Sequence, residues 1–278
     1  GGELRDLLHD LDTVRRVGAT LGLLLNEDKC EIVTNDDSVV SSVRTVMPNI
    51  LHIPCKDAVL LGAPIGNESA IDTMLQSKLA VFQRLANRLK TLNVQDALFL
   101  LKNCFGMPKV LHVLRCAPCY NSAVLSQYDT VIKQTLQVIL NIDLTESVWS
   151  QASLPISHGG LGVRLATDLA LPAFLSSVAG SSNLTIRLLP SRLHAASGLQ
   201  DALYITACLE WQTRCNAVVP DLARLKIQKA WDLPLVTRRL EEVMSAAKTQ
   251  AGRARLIAAA APHSGDFLHA VPCSAAGT

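Results

Sequence analysis

Residues 67–90 read NESAIDTMLQSKLAVFQRLANRLK. Ile71, Met74, Leu75, Leu79, Phe82, Leu85 and Leu89 recur every three or four positions, the period of one helical face. Asn67 stands where such a helix needs an N-cap. From here onward the pattern stays helical. Asn93 can cap a helix through Ala97, Leu98, Leu101 and Phe105, broken by Gly106 and Pro108. Another runs from Ser122 through Leu125, Tyr128, Ile132, Leu136 and Ile139. A loop is expected around Pro155 to Gly162, then a helix interrupted at Pro172 and a break at Gly180-Ser181-Ser182. Further helices are expected near 199–215, 221–230, 235–249 and 253–261.

Upstream of Asn67 the pattern is mixed. Leu4, Leu7, Leu8, Leu11, Val14, Gly18 and Leu21 give a one-sided helix over 3–21 that Gly22 stops. Cys30-Glu31-Ile32-Val33-Thr34 reads as a short strand. Asp36-Asp37-Ser38 offers caps for a helix through Val39, Val43 and Val46, ended by Met47-Pro48. Ala58-Val59-Leu60-Leu61 reads as a second strand, closed by Gly62, Pro64 and Gly66. The expected fold is mainly α with a small N-terminal α/β piece over 1–66, then helical stretches over 67–145 and 146–278.

The chain has 278 residues, 49% hydrophobic and 18% charged. That balance excludes wholesale disorder, and the length excludes a small disulfide scaffold. Eight cysteines spread through mostly apolar surroundings suit free thiols in a reducing compartment. No basic-then-apolar leader is seen, and no uninterrupted apolar run approaches the roughly 18 residues of a membrane span. The expectation is an intracellular chain without a membrane partner. Its Gly1-Gly2-Glu3 start, without an initiator Met, suggests part of something longer.

The net charge of +2 exerts no global pull on nucleic acid. The total is a cancellation, however. Residues 1–50 hold nine acids and five bases, whereas 67–140 and 221–255 each hold eight bases and four acids. Such basic helical stretches serve either solubility or phosphate contact. The eleven aromatic residues argue against a platform for stacking single strands.

Three motifs have chemical potential and a plainer reading beside it. Asp36-Asp37 is the only adjacent Asp pair, but its setting before a helix is that of a cap rather than of two-metal chemistry. Cys116-Ala117-Pro118-Cys119, with His112 one turn earlier, has metal-like spacing without a second ligand pair, so buried thiols are expected. Gly159-Gly160-Leu161-Gly162 lacks the strand and Lys-Ser/Thr of a phosphate loop and reads as a turn. No spacing marks a hydrolytic triad.

Leu21-Gly22-Leu23-Leu24-Leu25-Asn26-Glu27-Asp28-Lys29-Cys30-Glu31 resembles the segment after the catalytic Asp-Asp motif in reverse transcriptases of non-LTR retrotransposons. Val59-Leu60-Leu61-Gly62-Ala63-Pro64-Ile65-Gly66 resembles the L-L-G-x-P-I-G primer-grip turn of the same proteins. Residues 154–164 with 168–174, and then 262–272, resemble recurring segments downstream of the polymerase. The blocks keep the family's order and span nearly the whole chain.

The resemblance implies the end of a polymerase palm over 1–66, a helical thumb over 67–145 and a helical extension over 146–278. The chain would belong to an RNA-directed DNA polymerase, lack its catalytic Asp-Asp motif and be inactive as a polymerase alone. Mg2+ would be bound, in an intact relative, by residues outside this sequence. Lys29 falls at the position of the palm lysine that assists the leaving pyrophosphate, where a cation stabilises developing charge; its plainer reading is a solvated turn lysine. Leu60, Leu61 and Gly62 would shape the primer grip, or simply end a buried strand in a turn. Arg84, Arg88 and Lys90 would meet the backbone of an RNA/DNA duplex. The second reading is a helical module that binds nucleic acid or protein without catalysis.

Overall fold

The leucine spacing at the start of the chain forms α1 (Leu4–Thr20), which ends where Gly22 adopts a φ of +76° and the Leu23 N–H bonds back to the Gly18 carbonyl. The computed structural model describes residues 3–65 and 67–271. β1 (Glu31–Val33) follows, then α2 (Asp37–Arg44), capped by the Asp36 carboxylate, which accepts from the Ser38 N–H at 2.8 Å. β2 (Leu51–Ile53) pairs in parallel with β1, Glu31 opposite Leu51 and Val33 opposite Ile53. This strand has no counterpart in the sequence reading, because three residues between two prolines are too short to show a period. β3 (Val59–Leu60) and β4 (Ala63–Pro64) form a minimal hairpin.

The chain divides into two compact units, residues 1–70 and 71–278. The core of the first is small. Val43, Met47 and Ile50 are buried, with Leu4, Leu11, Cys30, Ile32 and Val39 packed on them. Parallel strands normally lie covered on both faces, yet Leu51 is half exposed here and Leu24 is 89% exposed.

Among its described residues, the second unit is all helix and turn. α3 (Glu68–Leu89) starts with the Asn67 side chain accepting from the Ala70 N–H at 3.3 Å. α4 (Val94–Leu100), capped by Asn93, runs into a π-helical turn over Leu101–Phe105, and α5 (Met107–Cys116) follows. The expected break falls at Gly106, and Pro108 sits in the first turn of the next helix, where a proline has no intrahelical N–H bond to lose. α6 (Ala123–Leu140) is capped by Ser122, and α7 (Glu146–Ala152) by Thr145.

α8 (Ala166–Leu188) is unbroken by Pro172 and by the Gly/Ser triplet at 180–182. Every residue from Leu169 to Ser176 is buried, and the helix packs against α5, α6, α9 (Ala202–Cys215) and α10 (Gln228–Ala246). A helix surrounded on all sides gains enough from burial to tolerate one missing hydrogen bond. The helix expected over 221–230 is mostly turn, and α10 starts only at Gln228; it runs through the expected 235–249 helix to Ala246 with Pro234 inside it. α11 (Gln250–Ala259) completes the set.

One core runs from Ile71 to Trp231, joining side chains from 67–145 with others from 146–278. Helix outweighs strand 69% to 4%, so the chain is mainly helical with a few short strands. Two 23-residue helical stretches, Val94–Cys116 and Ala166–Leu188, are long and apolar enough to cross a bilayer by length and composition, although neither is an uninterrupted apolar run. Half of the most apolar window of the second is buried among its neighbours.

A carboxylate caps α8 from another helix. Asp129 of α6 accepts from the Ala166 N–H at 2.6 Å, the Thr167 N–H at 3.1 Å and the Thr167 hydroxyl at 2.6 Å. Burial outweighs these bonds and pushes the Asp129 carboxyl up to about 6. The folded chain therefore holds this proton where the unfolded chain, at about 3.9, has released it. Stability from this group is full below that lower value and lost as pH rises to about 6. Urea midpoints measured across this range should fall, and Asp129→Asn should flatten the decline; an unchanged slope would count against this account.

Candidate nucleic-acid interface

In the first unit, Lys29 ends the short turn Glu27–Lys29 before β1 and is exposed. The acids beside it are engaged elsewhere: Glu27 pairs with Arg15 at 2.6 Å, and Asp28 accepts from the Asn49 amide at 3.3 Å. Leu60, Leu61 and Gly62 lie together at the β3–β4 hairpin. Leu61 and Gly62 both have positive φ, +50° and +79°, as a two-residue turn of the I′ kind requires. Gly62 takes this conformation freely, whereas leucine seldom does. The strand end expected to be buried is in fact exposed, with Leu61 90% accessible, because a two-residue hairpin has no sheet to cover its tip.

In the second unit, α3 brings Arg84 and Arg88 one turn apart on an exposed face. Lys90 follows the helix end and donates to the Asn87 side-chain Oδ1 at 3.1 Å. Among the described residues, none of Lys29, Arg84, Arg88 and Lys90 forms an ion pair. The three cations at the end of α3 extend over ~9 Å along its axis at about 1.5 Å per residue. That length matches about two or three phosphates of one strand, at 3.4 Å each. They also offset the negative end of the α3 dipole.

The other motifs are accounted for by structure. Asp36 is tied to the Ser38 N–H and hydroxyl, and these hydrogen bonds hold its carboxyl below the usual range. Among the described residues, no three His, Cys, Asp or Glu side chains converge to hold a metal ion. Cys119 is buried, its thiol pushed up to about 12, whereas Cys116 is exposed and 3.8 Å from the His112 ring. Gly159 and Gly162 take φ of +79° and +74°, and a Cβ on Gly160 would collide with the Leu154 carbonyl. Such a segment is a tight turn.

Comparison with protein-family models, with curated proteins and with solved structures gives no match.

Sequence reasoning missed two partly buried ion pairs. Arg164 meets Asp232 through two bonds of 2.7 Å, and Arg239 meets Asp168 at 2.8 Å. They fasten α10 to the start of α8. Partners 68 and 71 positions apart leave no local signal beyond the i, i+4 spacing of Arg164 and Asp168.

Proposed function

We propose that this chain is the downstream portion of a protein of the non-LTR reverse transcriptase type. The end of α3 would lie against the backbone of an RNA/DNA duplex. The observation that carries this reading is the group of three exposed cations, Arg84, Arg88 and Lys90, without a carboxylate partner among the described residues. The ordered motifs in 21–31, 59–66, 154–174 and 262–272 support it. So does the exposed Leu60-Leu61-Gly62 turn, the primer-grip segment of the same reading. In this reading the chain is a duplex holder, and templated nucleotidyl transfer belongs to carboxylates outside residues 1–278.

Fluorescence anisotropy with a labelled RNA–DNA duplex tests it. Binding should weaken steeply with salt, and replacing Arg84, Arg88 and Lys90 together by serine should reduce the log–log slope by about 2–3. The same preparation should give no primer extension. No affinity at low salt, or an unchanged slope in the triple variant, would sink the proposal.

A further inference from the structure

A cleft of about 400 Å3 opens beside Gly162, within the range of roughly 300–1,000 Å3 typical of small-molecule sites. Three separate segments supply its polar wall: Lys102 and Asn103 from the π-helical turn, Ser157 and Arg164 from the loop before α8, and His269 from the segment after α11. Among the described residues, no carboxylate lines it.

Lys102 is the unusual member. It is partly buried, and burial lowers its pKa with nothing opposing the shift. The other partly buried cations beside α8, Arg164 and Arg239, each have a carboxylate within 2.8 Å. Lys102 has only the Leu268 carbonyl, and it forms no ion pair among the described residues. Buried charges are normally paired, because leaving water without a counter-charge is costly. Arg164 adds a second unmet donor, its Nε buried without a hydrogen-bond partner. Gly162 shapes the wall, since its φ of +74° suits glycine and a Cβ there would sit 3.2 Å from the Ile156 side chain.

We propose that this cleft binds a phosphate group, with the Lys102 ammonium as its counter-charge and Asn103, Ser157 and His269 as further donors. A lysine acts as a point charge towards phosphate. Donors from three segments suit an anion with several acceptor oxygens better than a planar carboxylate. The site is separate from the α3 cations and does not depend on the duplex reading.

The test is calorimetric titration of the full chain with inorganic phosphate at constant ionic strength, with chloride as the control. Saturable binding is expected, and Lys102→Met should weaken it at least about tenfold, the scale of a lost charge-assisted bond. His269→Ala changes an exposed residue and should also weaken binding, which keeps the test valid if Lys102→Met fails to fold. Lys102→Arg should retain binding. A linear response, an equal response to chloride, or undiminished affinity in both weakening variants would overturn the proposal. Competition by an RNA–DNA duplex then assigns the source: displacement of phosphate places a backbone phosphate in the cleft, and no displacement leaves a free phosphate compound.

Discussion

Trp231→Ala is expected to destabilise the second unit by about 3–5 kcal/mol. Trp231 is fully buried and packs edge-on against Trp211, with ring centroids 5.0 Å apart and planes at 82°. Hydrogen bonds hold both indoles in place, and one of them joins the pair. Trp211 Nε1 donates to the Trp231 carbonyl at 2.9 Å, and Trp231 Nε1 donates to the Leu225 carbonyl at 2.7 Å. Removing the indole opens a cavity between α9 and α10 and leaves the Leu225 carbonyl without its donor. Trp231→Phe keeps much of the volume and loses only the donor, so its effect should be smaller. Urea unfolding followed by far-ultraviolet circular dichroism measures both. A loss below about 1 kcal/mol for the alanine variant would mean that the site collapses without a cavity.

Asp232→Ala should be of similar size, about 3–5 kcal/mol, because it strands a partly buried guanidinium. Arg164 and Asp232 side chains are only 18% and 13% exposed, and the two bonds between them are bidentate. Arg164 Nε already lacks a partner, so the loss of Asp232 would leave the guanidinium with no hydrogen bond among the described residues. The neighbouring Asp168 carboxyl is pushed up by burial, against the pull of Arg239 and Arg164. The double change Arg164→Met with Asp232→Leu should recover most of the loss, since an apolar pair carries no desolvation cost. A double-mutant cycle reads the coupling directly, and additive single effects would contradict it.

The legible parts were those whose cause is local. The α3 pattern could be read because one face is buried and the other solvated, so periodicity reports the environment. Asp36, Asn67 and Asn93 could be read as caps because each reaches a backbone N–H two or three residues ahead. The prolines were harder. Pro108, Pro172 and Pro234 carry the same local signal, yet the first opens a helix and the other two lie inside helices held by packing.

The sequence by itself determined the helix-rich character, most helix starts, the turn at Gly62 and the group of cations on α3. Each depends on residues within one or two turns of each other. The tertiary structure alone decided that Asp129 caps α8, that Arg164 and Arg239 find carboxylates, and that Lys102 does not. It also decided that Lys102, Ser157 and His269 share a cleft. Those outcomes depend on which distant segments are packed together, and the burial that makes an unpaired charge costly exists only once the core has closed.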